Sequence, residues 1–341
     1  MQPIVQSESI HAYTAWGEPV PYVPKSKPVK TGLCTSCSNP LETSSKKKAT
    51  CVFCKTKVDV SSWEAKPEYR KTRTTDMAKY GLFPSISRMC SYGETPIEFT
   101  NWHETRVRDF TIRFHMKNLD LYRNNPNEYN KQYSMGLAEL KEQYSKRGND
   151  IHAVLKTCGR IAGGRNAGLK AYVEYLGTCS PVENYIAGQV AGWEEANGFT
   201  NADREITFCD PLVGLGGCID YACDQAIVDY KCKFNKDVFE SIKRGAKGPL
   251  WSVTKQIAGY GAISHRFDYK GYGAFISLDI DDPTVGGEVC FQELTELDRG
   301  LRAIEANTTA WFVEKGFDSR EMYTKGKCMR AEDIMNQVKG K

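Results

Sequence analysis

Residues 97–158 follow a helical pattern of apolar positions, interrupted at Asn124-Asn125-Pro126-Asn127. Apolar side chains recurring every three to four residues give a helix one stripe to bury. A proline cannot continue a helix entered from before it, because it lacks the backbone donor and its ring clashes with the preceding turn. Residues 169–197 read as a further helix pair. The period then shortens. Apolar and β-branched stretches near 204–208, 216–222 and 226–232 predict strands, with Gly216 and Gly217 leading into the second and Asp224-Gln225 turning into the third. A helix is expected over about 248–264, then a hairpin of 274–280 and 288–294 around Asp281–Gly287, then a helix over 295–315. Helices flanking a central mixed sheet make an α/β fold.

The N-terminal part has a different grammar. Cys34-Thr35-Ser36-Cys37 and Cys51-Val52-Phe53-Cys54 are two CxxC turns separated by a polar, turn-rich stretch. Each turn puts two thiolates on one side of a tight loop, and together they supply four sulfurs for a closed, structural tetrahedral Zn²⁺ site. So small a segment cannot hold itself by burial, so the metal is expected to supply its folding energy. Residues 61–78 are charged and poorly periodic. The expected organisation is an N-terminal extension over 1–30, a zinc ribbon over 31–60, a linker over 61–79 and one large domain over 80–341.

Charge changes this picture only locally. The formal net charge of the 341 residues is +4. Between Pro24 and Lys57, however, eight lysines face one acid, Glu42, so this module carries about +7 and the rest is slightly acidic. A compact basic module beside a near-neutral body suits a polyanion. Lys46, Lys47 and Lys48 at the ribbon tip are candidate phosphate contacts, and DNA or a partner protein is the expected target of that face. No apolar run is long enough to cross a bilayer. The first residues lack the basic and apolar regions of a secretory signal. The thirteen cysteines therefore read as reduced thiols, and the chain as cytoplasmic (host cytoplasm if viral).

The candidate chemistry lies in the strand region. Asp229 and Lys231 are two apart on one predicted strand, so their side chains share a face. Asp220 sits on the partner strand and can come close to Asp229. Paired carboxylates hold hard cations such as Mg²⁺ or Mn²⁺. A lysine two residues beyond a ligand reaches the same centre, where it orients a water or stabilises developing charge.

Gly217-Cys218-Ile219-Asp220 followed by Asp229-Tyr230-Lys231 resembles the signature of the PD-(D/E)xK nucleases, in particular their RecB-like, phage-type exonuclease branch. Gln256 and Tyr260 match the QxxxY motif of that branch. At i, i+4 they share one helix face. Arg147-Gly148-Asn149-Asp150-Ile151-His152 looks like its R-G-T-x-I-H motif, and Leu82–Met89 resembles its PSVT segment. Two departures stand out: the second carboxylate is Asp rather than the commoner Glu, and Asn149 replaces Thr. The resemblance covers roughly residues 80–320 and leaves the ribbon outside. It implies a restriction-endonuclease-like core and metal-dependent hydrolysis of DNA, in recombination or DNA degradation. It further implies His152 joining Asp220 and Asp229 on Mg²⁺ or Mn²⁺, with Lys231, Gln256, Tyr260 and Glu205 in the active centre. Ser85 and Ser87 read either as helix caps or as phosphate ligands, and Glu183 either as a helix N-terminal acid or as an alternative ligand. An endonuclease of the same fold, or a non-catalytic zinc-ribbon DNA-binding protein, are the competing expectations.

Overall fold

The computed structural model describes residues 12–24, 29–45, 47–63, 65–66, 68–92, 97–162, 174–199, 202–279 and 281–336. Its centre is a five-stranded sheet of β1 (Asp203–Asp210), β2 (Leu215–Ala222), β3 (Ala226–Lys233), β4 (Lys270–Leu278) and β5 (Gly286–Leu294), in that spatial order. β3 and β4 run parallel, and the other neighbouring pairs run antiparallel. A parallel pair needs a crossover. The Lys236–Lys243 helix and helix α4 (Lys247–Ile263) provide it. Strands covered on both faces read as nearly continuous apolar runs rather than alternating ones. Accordingly Ala226–Tyr230 of β3 and Gly271–Ile276 of β4 are all buried.

Two helical layers cover the sheet. On one face α4 packs with the short α1 (Ile86–Cys90) and with α5 (Leu297–Lys315), so that Ile86, Ile257, Ile263 and Ile304 meet Ile219 and Phe275. On the other face Ile151 and Leu155 of α2 (Pro126–Ala162) and Ile186 and Val190 of α3 (Pro181–Ala196) pack against Val228, Ala274 and Ile276. The helix Ile97–Lys117 and the short helix Leu119–Asn124 precede α2, which begins at the expected proline. Phe110 and Phe114 meet Tyr129 and Tyr133 of α2 through edge and tilted ring contacts. Among the described residues no helix is long and apolar enough to cross a membrane.

The stretch expected as a linker carries structure. Tyr69–Lys71 pairs with Tyr22–Pro24. The helix Thr74–Tyr80 sends Met77 and Tyr80 into the main core beside Val20 and Val23. Arg70 grips Asp76 with two hydrogen bonds of 2.6 and 2.8 Å. A helix of two turns is too short to show a period among charged residues, which is why pattern alone assigned no element here. The N-terminal extension also reaches the core: Ala12–Tyr13 pairs with Phe83–Pro84, at the foot of α1. Residues on both sides of the cysteine module thus belong to the body, while the module keeps its own small core of Leu41, Val58 and Val60 around Cys34 and Cys51.

Candidate active site

β2 and β3 pair at Tyr221 with Val228 and at Ala222 with Ile227, next to their turn. Carried one step further, that register would set Asp220 opposite Asp229. The ladder opens there instead. The N–H of Tyr230 donates to Oδ2 of Asp220 at 2.8 Å, so a carboxylate takes the place of a strand carbonyl. The fork holds two acids in a nearly dry space, with Asp220 9% and Asp229 1% exposed. Burial penalises a charged carboxylate, and a second one nearby adds to the penalty. Burial pushes Asp229 up to about 6, with the charge of Asp220 adding to the rise and Lys231 opposing it. Asp220 is buried as well, but His152 and Lys231 hold it below the usual carboxylate range.

Lys231 is ion-paired with Asp229. Burial works against its charge, but Asp229 and Asp220 together raise it, so it stays protonated at neutral pH. Gln256 donates to Oδ1 of Asp229 at 2.9 Å and to the Tyr260 hydroxyl at 2.5 Å, one turn along α4. Oδ2 of Asp229 is buried and faces the Lys231 ammonium, its charged partner.

The opposite wall is α2. Nδ1 of His152 lies 3.5 Å from Oδ1 of Asp220 and 3.7 Å from Oε1 of Glu205. One ligand atom from each of these residues falls within 4.8 Å of the others. Imidazole nitrogen with carboxylate oxygens suits Mn²⁺-type cations, and the oxygens suit Mg²⁺. Glu205 stands in the tight group, while Asp229 sits behind it, engaged by Lys231 and Gln256. Glu205 also adopts a left-handed φ of 53° inside a strand. Such a conformation costs a non-glycine residue roughly 1–2 kcal/mol and persists where the surroundings over-determine it. Burial opposes the charged form of His152, but Asp220 and hydrogen bonds to Asp220 and Glu205 push it up to about 10. A cation and the imidazole proton would compete for the same lone pair.

A cleft of about 350 Å³ opens over this group. His152, Glu205, Asp220, Gln256 and Tyr260 line it, and Asp229 and Lys231 lie beneath. Ser85 and Ser87 also line it, with their hydroxyls 3.1 Å apart. Ser85 caps α1, accepting the Arg88 N–H at 3.2 Å. Glu183 belongs elsewhere: it closes a capping box with Ser180 and takes Arg147 at 3.3 Å. Lys47 and Lys48 lie in the ribbon and do not line the cleft. Lys46 lies outside the described residues.

The motifs overlooked several lining residues. Ser145 and Lys156 form one stripe with Asn149 and His152 along α2, and Lys156 reaches within 3.9 Å of Glu205. Their i, i+3 and i+4 spacing was available from the sequence. Tyr13 was not: it reaches the cleft through the pairing with Phe83–Pro84, and its ring lies where a Cβ on Gly216 would fall, 2.6 Å away.

In the ribbon, Sγ of Cys34 is 3.5 Å from that of Cys54, and Sγ of Cys37 is 3.6 Å from that of Cys51. These separations far exceed a disulfide bond and approach the edge of about 3.8 Å that a tetrahedron of Zn–S bonds near 2.3 Å implies. All four sulfurs fall within 4.8 Å of one another. Hydrogen bonds from Thr56, side chain first and then backbone, pull the Cys54 thiol down to about 6, toward the ligating form. Cys51→Ser is expected to release zinc and unfold the ribbon while the central sheet stays folded. Hydrogen exchange would check this; full protection of residues 31–60 in a zinc-free sample would contradict it.

No known protein family matches the chain, and no curated protein does. Among solved structures, an alkaline exonuclease from Laribacter hongkongensis is similar over 50% of this chain and 91% of its own, at 18% identity and a TM-score of 0.29. The same enzyme in complex with dAMP covers 52% of this chain and 96% of its own, at 19% identity and a TM-score of 0.27. A phage-related exonuclease from Haemophilus somnus covers 51% and 94%, at 11% identity and a TM-score of 0.26.

Proposed function

We propose that the chain is a metal-dependent DNA exonuclease of the PD-(D/E)xK type, acting in recombination or DNA degradation. The observation that carries this reading is the opened β2–β3 fork, which places Asp220, Asp229 and Lys231 against His152 and Glu205 at the floor of one cleft.

Asp220, Glu205 and His152 would hold Mg²⁺ or Mn²⁺, with Asp229 as a further carboxylate ligand. The cation supplies two things when bound: a water of lowered pKa and neutralisation of phosphate charge. The chain's own residues do the rest. Lys231 keeps its proton and presents a positive charge beside the ligands, where it orients the attacking water or stabilises the charge that develops on phosphorus oxygens. Gln256 fixes the rotamer of Asp229, and Tyr260 fixes Gln256. Ser85 and Ser87 offer hydroxyls to the phosphate backbone, and Lys156 offers a cation. The ribbon, holding structural Zn²⁺, brings Lys46, Lys47 and Lys48 as a second contact to DNA or to a partner protein.

Digestion of linear and covalently closed circular DNA in Mg²⁺ or Mn²⁺ tests the proposal. Loss of the linear substrate alone is the expected result. Cutting of the circle would make the chain an endonuclease of the same fold. No digestion of either, together with tight DNA binding, would leave a ribbon-based binding protein and overturn the enzyme reading.

A further inference from the structure

Tyr13 is a cleft residue with no part in holding the cation or in aiding the attack on phosphorus. Its ring fills a notch over Gly216, where a Cβ would fall 2.6 Å from it. Gly216, Cys218 and Asp220 alternate along β2, so all three positions face one side of the sheet. Tyr13 therefore extends the face that carries Asp220. Ser85 bridges Gly216 as well, so a second hydroxyl lines the same part of the cleft. Tyr13 is 2% exposed and lines the cleft. Among the described residues its hydroxyl has no hydrogen-bond partner. A buried tyrosine hydroxyl ordinarily finds one, and phenylalanine would fill the notch without leaving a donor unused. Burial raises the pKa of the phenol, and the charges of Cys218, Cys209 and Glu205 add to the rise, so it stays protonated and remains a donor. The segment that carries it is fixed. Thr14 is fully buried, and its hydroxyl accepts the N–H groups of Trp16 and Glu18 at 3.3 and 3.2 Å. The N–H of Val20 donates to the carbonyl of Ala12 at 2.9 Å.

We propose that the Tyr13 hydroxyl donates to a phosphate oxygen of the DNA strand lying in the cleft, so that the N-terminal extension supplies part of the substrate site. The inference rests on the nuclease reading above and adds a substrate-binding residue to it. A rigid donor with no partner of its own, beside a second hydroxyl and on the face that carries the metal group, suits an anion that enters with the substrate. Phosphate is the anion that DNA repeats at every nucleotide, and hydroxyl side chains are among its ordinary donors. A neutral donor set in place before the reaction binds substrate and transition state alike, so it acts on affinity rather than on the chemical step. A phosphate contact also carries no sequence information.

The test is Tyr13→Phe in the full-length protein, which removes the hydroxyl and leaves the ring over Gly216. KM for linear DNA is expected to rise about tenfold, with kcat within about twofold of wild type and the melting temperature unchanged. The rise should be the same on DNA of different sequence. A second measurement uses a short linear duplex carrying one neutral methylphosphonate at successive positions, bound with Ca²⁺ in place of Mg²⁺. At one position the methylphosphonate should weaken binding to the wild-type protein about tenfold more than binding to Tyr13→Phe, because the two changes remove the same contact. Equal KM in the two proteins, or purely additive losses at every position, would overturn the proposal, while digestion by the wild-type protein would keep the nuclease reading. A higher KM that comes with a lower melting temperature and no coupling would make Tyr13 a packing residue and overturn it as well. In a protein that binds DNA but does not digest it, the coupling alone decides, and the nuclease reading falls by itself. A wild-type protein that neither binds nor digests DNA would remove both.

Discussion

Asp229→Asn is expected to abolish metal-dependent DNA digestion, by at least about a thousandfold, while leaving the fold intact. The substitution keeps the Oδ1 acceptor that Gln256 uses and keeps the side-chain volume in the fork. It removes the charge and replaces the Oδ2 that faces Lys231 with an amide that donates rather than accepts. Cation stabilisation of a phosphoryl transition state is worth several kcal/mol, and each 1.4 kcal/mol is tenfold in rate. Digestion of linear DNA by purified protein, with a melting curve as control, checks this. A variant that digests at near wild-type rate with an unchanged melting temperature would remove Asp229 from the mechanism.

The second large effect concerns Lys231. Lys231→Met is expected to lower the rate by about 10²–10³ while DNA affinity changes little, since a donor aimed at developing charge acts in the transition state and not in binding. The same change has a stability signature. Lys231 is the charged partner of Asp229, whose pKa burial already pushes up to about 6. Without the lysine that pKa rises further above its unfolded value. A carboxyl group with a raised folded pKa favours the folded state as pH falls through that value and disfavours it above. The variant without metal should therefore melt lower at pH 8 than at pH 5.5 by a wider margin than the wild-type protein. Mg²⁺ should restore part of the loss by binding only the folded form. Equal pH dependence in the two proteins would show that Lys231 does not compensate Asp229. Normal digestion would show that it is not catalytic.

Both effects trace to where β2 and β3 separate. Local composition predicted the two strands and their turn, and the two-residue spacing of Asp229 and Lys231 put them on one face. The opening of the ladder at Asp220 had no sequence signal of its own. It depends on a Tyr230 N–H that finds a carboxylate instead of a carbonyl, and on α2 and α4 approaching from either side. His152, Gln256 and Tyr260 were named through the family motifs they resemble, each a run of a few residues on one helix. Tyr13 was not, because a two-residue strand pairs with a partner some seventy positions away and leaves no period.

The sequence by itself determined the α/β pattern and the CxxC turns, since each follows from spacings of a few residues, and its motifs named the candidate side chains. The tertiary structure decided which of them meet. It moved Glu205 into the tight group with His152 and Asp220, set Asp229 behind them against Lys231 and Gln256, and drew the supposed linker and N-terminal extension into the core. The reason is physical: side-chain direction along a helix or strand is fixed by local geometry, whereas the distance between two elements is fixed by how their apolar faces pack.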